Sequence, residues 1–319
     1  MAIRGRLGSP KLGLFELGTH RVVHIPDCLV QHPVINRVAA VVRLALVDAR
    51  VSSYSEKARL GLVRHLQVVV ERRSQSAQVV IVANSATPEP LAGCFESIRE
   101  RLGPELHSLW FNANQSRGNT ILGPRFDHWC GPASVVECFG GAEVHYPPGA
   151  FGQSNPEIAE AIIARVRSEI PQGARVAEFY AGVGAIGLSV LDRVAEIRMN
   201  ELSPHSLHGL ELGVARLAAA DRARVSIVPG SAGSAWSAAI GAQVVIADPP
   251  RKGLDEALVA SLERDPPERL LYISCEPGSF IQDAARLTSR RRLRLAALSA
   301  FNLFPYTAHV ETVARFERG

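Results

Sequence analysis

Glu178-Phe-Tyr-Ala-Gly-Val-Gly-Ala-Ile-Gly187 is the stretch of sequence that decides the fold. It is a G-x-G-x-x-G turn between a segment that reads as a strand, residues 175–180, and one that reads as a helix, residues 185–191. The glycines of such a turn let a ligand approach the backbone at the N-terminus of the helix. The motif alone is not decisive, because a tight turn between a strand and a helix needs no ligand.

An acid follows at the end of the next predicted strand, residues 197–201, where the chain has Glu201. An acid at this place commonly holds the ribose hydroxyls of a nucleoside cofactor. Dinucleotide sites and S-adenosylmethionine sites share both features. The glycine turn and Glu201 therefore predict a nucleoside cofactor without choosing between the two.

The rest of the second half continues to alternate between β and α segments. Strands are predicted at 225–228, 244–248 and 270–274, and helices at 204–220, 254–263 and 279–287. This order predicts an α/β fold with a mostly parallel, doubly wound sheet that has helices on both faces.

The first half also mixes helices and strands. The pattern predicts a hairpin over 11–25, a helix from Pro33 to Leu46, strands at 62–70 and 79–83, a helix over 95–102, and short strands at 109–111 and 119–122. Pro147-Pro148-Gly149 is the clearest break in composition. We therefore expect an N-terminal α/β domain over residues 1–148 and a catalytic domain over residues 149–319.

Composition and charge limit the class of protein. Hydrophobic residues make up 47% and charged residues 21% of the 319 residues, and no apolar run approaches the roughly 20 residues of a membrane helix. No secretory signal is recognisable at the N-terminus, so we expect a cytoplasmic protein. The net charge of +4 permits a polyanionic partner, and nearly all of the positive charge is arginine, which binds phosphate through two parallel hydrogen bonds.

The cysteines are few and widely spread. They are Cys28, Cys94, Cys130, Cys138 and Cys275. An odd number without a C-x-x-C pair fits neither a disulfide framework nor a zinc site. Reduced thiols are expected, and most of them should be small buried side chains.

Asp248-Pro-Pro-Arg251-Lys-Gly253 follows one of the predicted parallel strands. An acid and two prolines at the carboxyl end of such a strand form a rigid ledge beside the cofactor crevice. The segment is similar to the substrate-side motif of nucleic-acid methyltransferases. In those that methylate amino groups an aromatic residue follows the prolines, whereas this chain has Arg251.

Cys275 lies at the end of the apolar run Leu270-Leu-Tyr-Ile-Ser274. A thiolate is a strong nucleophile, and we expect the helix that begins near Gly278 to lower the pKa of this thiol. Near the C-terminus, His309 and Glu311 lie two residues apart at the start of a predicted strand, so alternation sets both on one face. An acid opposite a nucleophilic sulfur would supply a general base.

Together these residues resemble the RNA uracil-C5 methyltransferase family, the S-adenosylmethionine enzymes that make 5-methyluridine in tRNA and rRNA. The matching motifs, in the family's order, are Phe151-Gly-Gln153-Ser-Asn155, Phe179-Tyr180-Ala-Gly182-Val-Gly184, Asp248-Pro-Pro-Arg-Lys-Gly253, Ser274-Cys275-Glu276-Pro277 and Phe304-Pro-Tyr-Thr-Ala-His309-Val-Glu311. The polar turn 114–123 and the hairpin that ends at Cys28 are similar to the family's central domain. The resemblance implies a Rossmann-like class I methyltransferase sheet and an RNA-facing first domain.

The resemblance also implies a mechanism. Cys275 would add to C6 of a flipped uracil, Glu311 would remove the proton from C5, and Asp248 and His309 would position the base. The implied cofactor-binding residues are Gln153, Tyr180, Gly182, Gly184, Glu201 and Asp248. The implied substrate is a loop of tRNA or rRNA.

Three departures from the family pattern stand out. Family members commonly begin with an RNA-binding β-barrel or with a cysteine cluster that holds an iron-sulfur centre, and we expect this chain to start after both. Cys28 matches the last ligand of that cluster, but its three partners are absent, so no iron-sulfur cluster is expected. The glycine turn has Ala181 and Ala185 in place of a cysteine and a polar residue, and no acid follows the strand at 225–228 to hold adenine.

Two other functions stay open at this point. One is a related methyltransferase whose acceptor is not RNA, and the other is a catalytically silent RNA-binding module. The missing N-terminal elements favour the first, and the changes in the cofactor site favour the second.

Overall fold

The computed structural model describes residues 1–319 and divides into two compact units, Met1–Glu137 and Cys138–Gly319. The first unit contains β1 (Ala2–Arg6), β2 (Ser9–Phe15), β3 (Val22–His24), α1 (Pro33–Asp48), β4 (Val63–Glu71), β5 (Ser76–Ala83), α2 (Ala92–Leu102), β6 (Leu106–Ala113) and β7 (Arg125–Cys130). Its seven-stranded sheet has the order β3-β2-β1-β4-β5-β6-β7, and only β5 and β6 are parallel. The predicted α/β character of this half is confirmed.

Helix α1 illustrates how the sequence forms this unit. Pro33 begins the helix, where its missing N–H costs no hydrogen bond, and the His32 side chain accepts from the N–H of Val34. Its buried residues recur at helical spacing and pack on the sheet with those of α2.

The strand expected at residues 119–122 is wrong, because the segment is a loop. Two asparagines explain the loop. The side chain of Asn114 donates to the carbonyl oxygens of Thr120 and Ile121, and that of Asn112 bonds both the N–H and the carbonyl oxygen of Gly123. These backbone groups are satisfied by side chains rather than by a neighbouring strand.

A two-stranded hairpin follows, β8 (Val135–Phe139) and β9 (Ala142–Tyr146), and the boundary between the units falls within β8. β9 packs on a helix of the second unit at Gly209, where an added Cβ would lie 2.4 Å from the carbonyl oxygen of His145. This packing explains why the compact unit begins at Cys138, before the composition break at Pro147.

The second unit contains α3 (Pro156–Ser168), β10 (Ala174–Phe179), α4 (Ala185–Ser189), β11 (Val194–Glu201), α5 (Pro204–Arg216), α6 (Ala219–Arg222), β12 (Val225–Pro229), β13 (Val244–Ala247), α7 (Glu256–Arg264), β14 (Arg269–Ser274), α8 (Pro277–Ser289), β15 (Leu293–Phe301) and β16 (Glu311–Arg318). The sheet order is β12-β11-β10-β13-β14-β16-β15. The first five strands in this order are parallel, and β16 is antiparallel to both of its neighbours. The predicted mostly parallel, Rossmann-like sheet is confirmed.

One face of this sheet is apolar. It carries Phe179, Ala247, Tyr272 and Phe316, which pack with α7 and α8. The opposite face carries the acids described below. None of the helices in the molecule is long and apolar enough to span a bilayer.

Candidate active site

Cys275 and Glu311 lie opposite one another where two antiparallel strands meet. β14 and β16 pair Ser274 with Thr312, and the Thr312 hydroxyl donates to the Ser274 carbonyl oxygen at 3.2 Å. One residue further, the same register sets Cys275 opposite Glu311, and opposed side chains share a face with Cβ atoms about 5 Å apart. Glu311 is only 3% exposed, and Cys275 is half-buried. The structure thus brings the predicted nucleophile and the predicted base together.

The electrostatic environment of Cys275 differs from the one expected. Burial raises the pKa of its thiol, the carboxyls of Glu311 and Asp248 raise it further, and the Arg251 guanidinium acts in the opposite direction. The expectation that the following helix lowers the pKa is therefore wrong, because burial and two acids outweigh the cation. The resting group is a thiol.

Asp248 joins the same face of the sheet. It follows β13, and its N–H donates to the Phe179 carbonyl oxygen at 3.4 Å. Ala247 pairs with Phe179 on one side and with Tyr272 on the other. Alternation then sets Asp248 on the face that also carries Cys275. Burial raises the pKa of Asp248 to about 7.

Glu178, on β10, is a third acid of this face and was not predicted as a site residue. It pairs with Ile246, two residues before Asp248. It is 2% exposed, and its Oε2 has no hydrogen-bond partner. Burial and then Asp248 raise its pKa to about 8. Burial and Asp248 likewise raise the pKa of Glu311 to about 8.

The glycine turn is held in place by Glu201. Its Oε2 accepts from the N–H of Gly182 at 2.8 Å, and its Oε1 accepts from the N–H of Ser203 at 2.6 Å. Gly182 and Gly184 have φ angles of 60° and 86°, in the region that favours glycine. Nothing lies within 4 Å of a Cβ built on Gly182, so the turn is open above this residue.

Comparison with known proteins gives a consistent result. Residues 237–318 match the tRNA (uracil-5-)-methyltransferase family model. An uncharacterized RNA methyltransferase of Protochlamydia amoebophila is 33% identical over 324 residues, covering 100% of this chain and 84% of the relative. One of Listeria innocua is 30% identical, covering 98% of this chain and 68% of the relative. The chain belongs to the same family of RNA methyltransferases as these relatives.

A solved structure shares the fold of this methyltransferase. The tRNA (uracil-54, C5)-methyltransferase of Pyrococcus abyssi, in complex with S-adenosyl-L-homocysteine, matches with a TM-score of 0.80 and 21% identity, over 99% of this chain and 74% of that chain. Family membership confirms the predicted enzyme class, an S-adenosylmethionine-dependent RNA methyltransferase.

The residues of the methyltransferase fit that cofactor. The open glycine turn and Glu201 offer a nucleoside site at the carboxyl edge of the sheet. Beside it lie three acids without a counter-cation, one of which, Glu178, has an orphaned buried oxygen. Such acids suit a positively charged group, and S-adenosylmethionine carries a sulfonium. No group of three or more His, Cys, Asp or Glu side chains is arranged to hold a metal ion.

Two expected site residues lie in loops. Gln153 is half-buried between β9 and α3. His309 precedes β16, its N–H donates to the Thr307 hydroxyl, and its ring lies edge-on to Phe304 at 6.1 Å. The expectation that His309 and Glu311 share a strand face is wrong, because the strand begins only at Glu311.

The loop after Asp248 is fixed from both sides, by Asp283, which sequence reasoning missed, and by Tyr180, which was expected at the cofactor. Asp283 of α8, 8% exposed, accepts from the N–H of Leu254 at 2.9 Å and from the Tyr272 hydroxyl at 2.8 Å. From the other side, the Tyr180 hydroxyl accepts from the N–H of Asp255 at 2.8 Å. Tyr180 thus supports the loop with its hydroxyl. Arg251, at the tip of this loop, is exposed and forms no ion pair.

Proposed function

We propose that this enzyme methylates C5 of a uridine in structured RNA, tRNA or rRNA, with Cys275 as a transient nucleophile and Glu311 as the base. The opposed positions of these two residues, just after the end of β14 and at the start of β16, carry the proposal. Uracil C5 alone is too weak a nucleophile to attack a sulfonium methyl group. The resting thiol of Cys275 first loses its proton to the solvent, and the thiolate Sγ then adds to C6, which gives C5 the electron density that it needs.

S-adenosylmethionine, held by Gly182, Gly184 and Glu201, supplies the methyl group when it is bound. Glu311 then takes the remaining proton from C5. The electron pair of that C–H bond re-forms the C5–C6 double bond, and the Cys275 sulfur leaves C6 with the pair of the C–S bond. Asp248 lies on the same face and would orient the base, and the exposed Arg251 suits a backbone phosphate.

The base must leave its stack to reach a half-buried sulfur beside a buried acid. A single-stranded loop or a bulge is therefore the favoured target, because the cost of unstacking is smallest there.

A trapping experiment tests the proposal. RNA that carries 5-fluorouridine gives C5 no proton for Glu311 to remove, so the adduct should persist in the presence of S-adenosylmethionine. We expect a covalent RNA–protein complex, with the RNA attached to Cys275 in peptide mass spectrometry. The matched control, Cys138→Ala, removes an exposed cysteine and should leave the complex unchanged.

Cys275→Ala should abolish both the complex and the 5-methyluridine formed from ordinary RNA. Methyl transfer that survives Cys275→Ala would contradict the mechanism. Methylation of free nucleosides but not of RNA would select the other acceptor class.

A further inference from the structure

Three carboxyls meet on one face of the catalytic sheet without a cation of the protein to balance them. Glu178 and Glu311 are 2% and 3% exposed, and Asp248 between them is half-buried. None of the three carboxyls accepts a hydrogen bond from a charged side chain. We call Glu178, Asp248 and Glu311 the acid cluster.

The groups around the acid cluster offer little compensation, and for Glu178 it comes only from the backbone N–H of Gly187, which acts to lower its pKa. On β11, both oxygens of Glu201 are occupied by backbone N–H groups. After β14 stands the Cys275 thiol. From α4, Gly187 approaches so closely that an added Cβ would lie 2.2 Å from the Glu178 Oε2. Arg251, the cation that acts on the Cys275 thiol, lies on the loop after Asp248 and is exposed to solvent.

Asp248 neighbours both Glu178 and Glu311, and such carboxyls cannot all ionise without a counter-charge, because the Asp248 anion disfavours the other two and burial disfavours all three. Protons are the counter-charge that the protein alone supplies, and the raised pKa values of the three groups agree with this. A ligand cation that arrives at the cluster replaces protons, which leave to the solvent.

We propose that the acid cluster makes this site select the cationic cofactor over its product: the sulfonium of S-adenosylmethionine displaces a proton from the cluster, whereas the neutral thioether of S-adenosylhomocysteine does not. This inference rests on the proposed function. The exchange balances, since one positive charge enters and one proton leaves. It also serves the reaction, because the carboxyls regain their affinity for protons once the positive charge is gone, and Glu311 must then hold the proton from C5.

Titration calorimetry tests the proposal without turnover. The full chain is titrated with each ligand at about pH 7.5, near the pKa values of the cluster. The titration is repeated in buffers that differ in ionisation enthalpy. The slope of the observed binding heat against the buffer's ionisation enthalpy gives the number of protons released. We expect S-adenosylmethionine to release about one proton more than S-adenosylhomocysteine. Its affinity should also rise more steeply with pH, since the cluster must ionise to pair with the cation.

The variant Glu178→Gln removes one ionisable member and keeps the shape of the side chain. We expect the affinity for S-adenosylmethionine to fall by about tenfold and the affinity for S-adenosylhomocysteine to stay nearly unchanged. The difference in proton release between the two ligands should become smaller. Glu211→Gln on α5, an exposed residue, is the matched control and should change neither ligand.

Equal proton release by the two ligands would overturn this inference alone, as would an equal loss of affinity for both in Glu178→Gln. Equal proton release would result if Arg251 moved into the cluster and supplied the counter-charge itself. Failure of both ligands to bind would overturn the proposed function and the inference with it.

Discussion

The two ends of one sheet face treat buried carboxyls in opposite ways. At the amino end of β14, Glu169 is 6% exposed and pairs with Arg165, Arg269 and Arg315. At the carboxyl end, Glu311 is 3% exposed and has no cation partner. Arg315 and Glu311 belong to the same strand, β16, and point to the same side.

The pKa values follow this difference. Burial alone would raise the pKa of Glu169, but hydrogen bonds from Arg315 and Arg165 outweigh it, and the net shift is downward. Burial acts on Glu311 without that compensation, and Asp248 adds to it. Arginines neutralise the buried acid at the amino end of β14, where the pairing stabilises the fold. The acids at the carboxyl end have no such partners, which indicates a site for a positively charged ligand.

The largest expected effect comes from Glu311→Gln. The amide keeps the shape of the side chain but accepts no proton, so methylation of RNA should fall about 10²–10⁴-fold. Single-turnover assays of 5-methyluridine check this, and trapping of Cys275 by fluorinated RNA should persist, because it precedes proton removal. Full activity in Glu311→Gln would assign the base elsewhere.

Glu169→Gln should act on stability instead. It leaves three arginines without their carboxylate, and because these are partly exposed we expect a loss of about 2–3 kcal/mol in the free energy of unfolding. Urea denaturation measures it. Glu157→Gln, an exposed change on α3, the helix that ends just before Glu169, should stay within about 0.5 kcal/mol. A similar loss in Glu311→Gln would remove the contrast between the two ends.

The pH dependence of stability should separate the two ends as well. Glu311 has an ordinary pKa of 4.5 and a folded-state pKa of about 8, so between these values the folded protein binds more protons than the unfolded chain. Stability contributed by this group therefore falls as pH rises through that window. Thermal unfolding from acid to mildly alkaline buffers should show a smaller decline in Glu311→Gln than in the parent protein. A parallel decline in both would show that Glu311 is not buried without a partner.

The smallest effect is expected from Tyr272→Phe. It removes one hydrogen bond to Asp283 and keeps the one from Leu254, so stability should fall by about 1 kcal/mol. If Asp283 positions the loop after Asp248, kcat should fall several-fold with little change in KM, and the pH profile of Cys275 alkylation should shift as Arg251 moves. Loss of stability without that shift would make Asp283 a purely structural residue.

Sequence alone predicted much of the second unit, because its glycine turn and its short apolar strands are local signals. The opposition of Cys275 and Glu311 depends on the register between β14 and β16, which no local pattern contains. The edge strand β15 was not predicted, because an edge strand needs no continuous apolar pattern. Glu178 could have been found, since an acid inside an otherwise apolar strand needs an explanation. Asp283 gave no such signal, because a carboxylate on a helix usually faces water.

The place of β16 in the sheet has a consequence for biosynthesis. The chain makes β14, then β15, then β16, but β16 lies between the other two. A growing chain therefore carries Cys275 before Glu311, its proposed base, has been made, and β15 has no neighbour in the sheet until β16 inserts. The proposed nucleophile and base come together through that insertion, so an emerging polypeptide lacks one member of the proposed pair until its last strand is in place.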